Sequence, residues 1–287
     1  MTGISVIVPT KNEQQDLPGC LEVLSWSDDI HVYDSMSTDE TLAIAQRFGA
    51  KISQRDYGEC NLAFGGDEAA HRNWAIKNIH FKYDWIYHSD ADERITPELL
   101  AAMLEAIENP RGCVAFRVRR RDYMMGRWLK HVTPSPFNIR LFMRKHMQYE
   151  RAINPICVVN GKIGDIEEHF NHYSFSKGIH HWVEKHNYYS SLEARQIVRN
   201  KAENTKWSIS KALFEMDLNV RRYHQKELFY RLPFRPLVKF LLLYVGKFGF
   251  LDGRAGLSYA ILQSIYEYLI LLKTRELELQ TKRVQLD

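Results

Sequence analysis

Short apolar, β-branched runs alternate along this chain with segments whose apolar residues recur at helical spacing. "ISVIVPT" is a short apolar, β-branched run closed by proline, the pattern of a strand buried on both faces. "EQQDLPGCLEVLSW" follows with Leu17, Leu21 and Leu24 at helical spacing. "DIHVYDS" reads as a second strand ending in an aspartate. "STDETLAIAQRFGA" opens with Ser37 or Thr38 as N-cap, has Glu40 to complete a capping box, and ends near Gly49. A shorter strand in "AKISQ", a helix through "GDEAAHRNWAIKN" and the strand "DWIYHS" complete the alternation. Strands and helices in strict succession predict an α/β fold with a doubly wound, mostly parallel sheet.

After Pro110 the pattern changes. "CVAFRVRRRDYM", "FNIRLFMRK" and "ICVVNGKIG" read as further strands, and from about Phe175 the spacing is helical. "RLPFRP", residues 231–236, carries two prolines and marks a linker. The expected partition is 1–174 for the sheet domain, split into 1–110 and 111–174, then a helical segment 175–230 and a C-terminal extension 231–287. Within that extension "LVKFLLLYVGKFGFL" is too short to span a bilayer and is broken by Lys239 and Lys247; "AGLSYAILQSIYEYLILLK" contains Gln263 and Glu267. Two such helices can lie in a membrane interface, through 232–273, or form a buried hairpin or an oligomer contact. The reading favours the membrane surface.

Composition narrows the class. A chain of 287 residues, 45% hydrophobic, can bury one large domain or a domain plus an appendage. The net charge of +4 permits contact with phosphates or an anionic membrane and does not call for nucleic acid. Cys20, Cys60, Cys113 and Cys157 are too widely spaced for a zinc motif or disulfide framework, which fits a reducing compartment. No cationic segment precedes "ISVIVP", so a cytoplasmic location is expected.

Chemistry concentrates after the strands. Thr10 to Glu13, Asp34 to Ser37 and Ser89 to Glu93 each follow one, and ligands of such sheets sit beyond the carboxyl ends. The three clusters should therefore share one crevice. Asp90, Asp92 and Glu93 fall within four positions: an acidic turn before a helix capped by Thr96, or a site for Mg²⁺ or Mn²⁺. Their place at a strand end favours the metal. Asp34 can accept from a ribose hydroxyl or base N–H, or cap its own turn. Neither GxGxxG nor GxxxxGK[ST] occurs, which disfavours a dinucleotide fold and a P-loop.

"SVIVPTKNE", "VYDSMSTDET" and "WIYHSDADE", in that order, resemble the inverting family-2 glycosyltransferases of GT-A fold. "MGRWLKH", "NIRLF", "IEEHFNHYSF" and "FGFLDGRAGLSYAIL" look like the bacterial branch that includes lipopolysaccharide-core β-glucosyltransferases. The resemblance implies a Rossmann-like GT-A domain with a C-terminal helical extension. It implies that Pro9, Thr10, Asn12 and Glu13 line a nucleotide-sugar pocket, with Asp34 at the uracil or ribose, Arg72 near the base or diphosphate, and Asp90 at the ribose or a metal-bound water. Asp92 would meet Mg²⁺ or Mn²⁺ most directly, with Asp90 beside it and His172 as a further ligand, unless that histidine is bonded within the fold. The base would be Glu150, in "MQYERAINP", where Tyr149 replaces a usual histidine; Asp165, Glu167 and Glu168 are reserves, and a salt-bridged surface role is the alternative for Glu150. Arg119, Arg120, Arg121, Arg127, Lys130 and His131 would suit a phosphate-bearing acceptor, or else a solvated strand face. The implied activity is inverting transfer of a hexose, glucose favoured, from a UDP-sugar to a cell-envelope glycan or glycolipid such as lipopolysaccharide core, at the cytoplasmic face of a bacterial inner membrane. A homo-oligomer is an open possibility. The rivals are a nucleotidyltransferase, for which "PTKNE" lacks a glycine-rich basic loop, and an inactive nucleotide-binding scaffold.

Overall fold

The structure, a computed structural model, describes residues 3–58, 63–133, 135–151, 155–203, 206–216 and 218–284. Cys60 lies outside them. The chain forms two compact units, the first of residues 1–123 and 135–177, the second of 124–134 and 178–287. The "RLPFRP" segment falls inside the second unit, to which residues 124–134 also belong.

In the first unit β1 (Ile4–Thr10), α1 (Leu17–Leu24), β2 (Ile30–Asp34), α2 (Thr41–Arg47), β3 (Lys51–Gln54), α3 (Glu68–Asn78) and β4 (Trp85–His88) follow the expected alternation. They continue through β5 (Glu93–Ile95), α4 (Pro97–Glu108) and β6 (Cys113–Met124). Beyond β7 (Arg127–Trp128) of the second unit come β8 (Phe137–Met143), β9 (Met147–Glu150), β10 (Ile156–Val159) and β11 (Lys162–His172). The sheet order is β3-β2-β1-β4-β8-β6-β11-β5, with β3, β2, β1 and β4 all parallel and β8 antiparallel between β4 and β6. β11 runs parallel to β6 and antiparallel to β5, so the sheet is mostly parallel, as expected. β9 and β10 form a separate antiparallel hairpin.

Both faces of the sheet are covered. Val6 and Val8 of β1 point to one side, where Leu17, Leu21 and Leu24 of α1, Ile44 of α2, and Leu99 and Met103 of α4 complete one core. Ile7 points to the other, against Ala75 and Ile76 of α3, with Phe142 and Tyr149. This period-two division within an all-buried strand is what a doubly wound sheet requires.

The capping expectation for α2 is corrected. The helix begins at Thr41, and it is Asp39 that accepts from the Thr41 N–H at 3.0 Å. Ser37 and Thr38 are drawn elsewhere, to Asp34 and Asn12. Asp67 caps α3 and Thr96 caps α4 by accepting from the N–H three residues on.

The second unit is helical: α5 (Gly178–Ala202), α6 (Ile209–Phe214), α7 (Leu218–Tyr230), α8 (Arg235–Leu241) and α9 (Gly253–Val284), with α5 and α8 packed on α9. The expected first C-terminal helix stops early. After α8 the chain makes a π turn over Leu242–Gly246, and Phe248, in the left-handed region at φ 56°, turns it into a 3₁₀ segment, Gly249–Asp252. Among the described residues one helical stretch, Gly249–Thr281, is long and apolar enough to cross a bilayer by length and composition.

Candidate active site

Because β2, β1 and β4 are adjacent and parallel, their carboxyl ends emerge on one edge. Thr10, the last residue of β1, donates from Oγ1 to Asp34 Oδ1 at 2.9 Å. Asp34 also accepts from the Ser37 hydroxyl at 2.5 Å, the Ser37 N–H at 2.8 Å and Gln54 Nε2 at 3.2 Å. Four donors match the four lone-pair sites of a carboxylate, so Asp34 is fully engaged within the fold. Asn12 adopts φ 55°, which asparagine tolerates. Its side-chain Oδ1 accepts from the Thr38 N–H at 2.9 Å and its backbone N–H donates to the Ser37 hydroxyl at 2.8 Å. The first two loops are thereby tied together. Pro9 is buried within β1 opposite Tyr33. Glu13 pairs with Lys177 at 2.7 Å. Burial pushes the Glu13 carboxyl up to about 7, against the pull of Lys177 and helped by the nearby charge of Asp92.

At the end of β4 the site is built around two guanidinium groups. Arg140, from β8, donates to Asp90 Oδ2 at 2.8 Å and also to Glu93 Oε1, and contacts His88 Nδ1 at 2.9 Å. Arg72, from α3, contacts His88 Nε2 at 3.1 Å and reaches Asp90 Oδ1 at 3.5 Å, with its guanidinium 5.4 Å from the Tyr149 ring centre. Asp90 is held well below the usual carboxylate range: burial opposes this, but Arg140 and Arg72 overcome it. Burial, with the two arginines, keeps His88 neutral. Glu93 is pushed up to about 7 by burial in spite of Arg140.

The third group joins Asp92 and His172. His172 Nε2 lies 3.3 Å from Asp92 Oδ2, while its Nδ1 meets Asp122 Oδ1 at 2.6 Å. Burial would lower the histidine's pKa, yet Asp92 and Asp122 raise it to about 10, so it carries its proton between two carboxylates. A metal-binding histidine with a carboxylate on its other nitrogen is a common arrangement, and a divalent cation can take that proton's place. The donor set fits Mg²⁺ or Mn²⁺ with two protein ligands, the remainder coming from phosphates and water. Among the described residues no three His, Cys, Asp or Glu side chains gather in a way that could hold an ion. Asp90 in particular is turned to its arginines rather than to the Asp92–His172 pair.

Residues 5–167 match the family model described as "Glycosyl transferase family 2". The chain belongs to this family. Among curated proteins it is similar to an uncharacterized glycosyltransferase of Rickettsia felis, at 29% identity over 250 residues, covering 78% of this chain and 81% of that one. It is 26% identical over 283 residues to the lipopolysaccharide core biosynthesis glycosyltransferase LpsC of Rhizobium meliloti, covering 92% of each. Among solved structures it is similar to S. aureus TarS, residues 1–349, at 16% identity, covering 93% of this chain and 91% of that chain with a TM-score of 0.44.

In this family-2 glycosyltransferase the remaining expected site residues lie apart from the three groups. β9 alternates, so Tyr149 is buried beside Arg72 and His88 while Glu150 is exposed on the opposite side. The reserves are occupied: Asp165 receives both Nε and Nη2 of Arg117, at 2.7 and 2.8 Å, and Glu167 receives Arg119 at 2.8 Å. Glu168 is half-buried. The expected basic cluster is divided: Arg119 is balanced across strands by Glu167, and Arg120 pairs with Asp122 at 3.0 Å. Arg127, Lys130 and His131 belong to the second unit, where Arg127 donates to the Leu251 carbonyl and His131 meets Asp252 at 2.8 Å. Sequence reasoning missed Arg140, Asp122 and Lys177 as members of the site, and it placed Glu93 in the acidic cluster without its arginine partner. A signal existed for Arg140: it is the one charged residue within the strand "FNIRLFM".

Proposed function

We infer that this glycosyltransferase moves a hexose, glucose favoured, from a UDP-sugar to a glycan or glycolipid of the cell envelope, with lipopolysaccharide core as the leading acceptor. The observation that carries the reading is the meeting of Thr10–Glu13, Asp34–Ser37 and Ser89–Glu93 at the carboxyl ends of adjacent parallel strands, the place where such sheets bind ligands. The relationship to LpsC supports the acceptor class.

In this reading Pro9, Thr10, Asn12, Glu13 and Asp34 shape the nucleoside end, and Arg72 and Asp90 face the ribose and diphosphate. Asp92 and His172 would hold Mg²⁺ or Mn²⁺, which when bound supplies positive charge against the departing diphosphate. The base is Glu150. Glu150 is exposed on the side of β9 away from Arg72 and His88, so its role as base rests on the family resemblance, and the pairing of Asp165 and Glu167 with arginines argues against those two. The acceptor oxygen attacks C1 and its proton passes to Glu150. The bond from C1 to the phosphate oxygen breaks, its electron pair leaves with UDP, and the anomeric configuration inverts. The second unit is proposed to rest on the cytoplasmic face of the inner membrane.

One experiment addresses donor, metal and base together. The protein is offered a panel of nucleotide sugars with and without Mn²⁺, and binding is measured by calorimetry and turnover by release of nucleotide. UDP-glucose should bind in a metal-dependent way, Asp92→Ala should lose that dependence, and Glu150→Gln should keep the affinity while losing about 10² or more in transfer. Unchanged affinity in Asp92→Ala would remove the metal assignment. Near-normal turnover in Glu150→Gln would move the base elsewhere.

A further inference from the structure

β8 is an apolar strand that must cross the middle of the sheet, and Arg140 interrupts it. The register pairs Tyr87 with Leu141, so the next step along sets Arg140 beside His88, the last residue of β4. A buried guanidinium without partners would be prohibitive. Here two carboxylates from one turn answer it. Arg140 Nη2 bonds both Asp90 Oδ2 and Glu93 Oε1, and the second oxygen of Glu93 accepts the Asp90 N–H at 3.1 Å. Asp90 is therefore fixed at both ends, its carboxylate by Arg140 and its peptide by Glu93.

Exposure separates the three partners. The Arg140 side chain is 10% accessible and that of Glu93 1%, whereas the Asp90 side chain is 32% accessible. Two buried charges thus carry one carboxylate that faces outward. As a source of stability this is a poor arrangement, because a buried ion pair gains little over apolar side chains of the same volume. As a mount for a ligand-binding carboxylate it has a clear use, since a group locked before the ligand arrives has less freedom to lose on binding. His88 cannot serve in its place: a neutral imidazole accepts through one nitrogen only, yet both of its nitrogens face guanidinium groups.

We propose that Arg140 and Glu93 are positioning residues for the sugar-nucleotide donor, presetting Asp90 from beneath without touching the donor themselves. The proposal rests on the reading that Asp90 meets the donor. It assigns the pair a role distinct from metal binding, which stays with Asp92 and His172.

The test compares UDP affinity, by calorimetry with Mn²⁺ present, with the melting temperature in wild type, Arg140→Met, Glu93→Gln, the double variant Arg140→Met/Glu93→Gln, and Arg140→Lys. Arg140→Met strands Glu93 and leaves Asp90 only the longer contact to Arg72, and it should melt lower, with UDP bound about tenfold or more weakly. The double variant removes the stranded Glu93 charge and should recover most of the melting temperature while its affinity stays low. Arg140→Lys keeps a cation but not the paired N–H geometry, and should melt close to wild type yet bind UDP more weakly. Affinity that returns together with the melting temperature in the double variant, or an Arg140→Lys variant that binds like wild type, would reduce the pair to a structural charge and overturn the proposal. A wild-type protein that fails to bind UDP refutes the donor reading itself, before any variant is compared.

Discussion

Asp29 lies just ahead of β2 with its carboxylate closed off from water, and four groups bond it: Ser5 Oγ at 2.5 Å, Lys51 Nζ at 2.6 Å, the Lys82 N–H at 2.7 Å and His31 Nε2 at 3.0 Å. Burial alone would raise its pKa, but the bonds from Lys51, Ser5 and Lys82 overcome that and bring it from 3.8 to about 2. The folded state therefore binds this proton less readily than the unfolded chain. Its contribution, about 2 kcal/mol, is complete above pH about 4 and disappears as the pH falls through about 2. Wild type should lose that much more stability than Asp29→Asn between those limits, measured by urea unfolding at stepped pH; equal losses would refute the assignment. The same physics explains which site residues could be read from the sequence. Asp34, Asp90 and Asp92 stand out because three polar clusters all follow strands of one sheet, although each aspartate alone also reads as a turn residue. Arg140 and Asp122 do not, because a charged residue inside a strand is assigned to solvent until the register reveals what lies beside it. The bonding of Asp34 was equally hidden, since its four donors come from three separate segments.

Elements whose apolar run or spacing extends over several residues, such as β1, β2, α1 and β6, were legible from the sequence alone, and so was their alternation in a mostly parallel sheet. Those set by distant partners were not. β5 has three residues and exists through its pairing with Phe170–His172 of β11, more than seventy positions later, so no local pattern could announce it. The start of α2 slipped because Ser37 and Thr38 were claimed by the neighbouring loop. The turn between α8 and α9 was hidden for a similar reason. An apolar run there reads as one helix, whereas glycines allow the chain to fold back on itself. A Cβ added to Gly256 would stand 2.1 Å from the Gly249 carbonyl oxygen and 2.8 Å from the Asp252 Cβ. Asp252 is in turn buried and accepts the N–H groups of His131 and Val132 at 2.9 and 2.8 Å. Gly256→Ala should therefore cost about 1–3 kcal/mol as the 3₁₀ segment is forced away from α9. Gly246→Ala, whose new methyl would meet nothing closer than 3.6 Å, should be nearly neutral by the same thermal unfolding assay. Equal melting temperatures for the two variants would mean that the turn gives way at no cost.

For the molecule as a whole, the open question from the sequence was whether its C-terminal apolar stretches face lipid, a second copy or each other. Within the second unit α9 buries Ala260, Glu267 and Ile270 while α5 and α8 pack on it, which answers for one side of that helix. The segment from Leu232 to Leu251 is different. Phe234 is 79% exposed and Leu237, Val245 and Phe248 more than half, and the segment contains no acidic residue, while Lys239 and Lys247 stand among the apolar side chains. Apolar tips with interspersed cations match an anionic bilayer surface, where the tips enter the acyl boundary and the lysines reach the headgroups. A second copy of the same face would bring like charges together. Removing residues 232–287 would be a poor test, because it strips α8 and α9 from the unit they build. The paired substitution Phe234→Ser/Phe248→Ser leaves the packed side of these elements intact. It should weaken binding to phosphatidylglycerol vesicles by roughly a hundredfold in a flotation assay, with little change in melting temperature. Wild type should prefer those vesicles over phosphatidylcholine ones, and the preference should fade at high salt. If the substitutions leave vesicle binding intact but split a dimer in light scattering, the exposed face belongs to a second copy of the chain and the membrane reading is withdrawn.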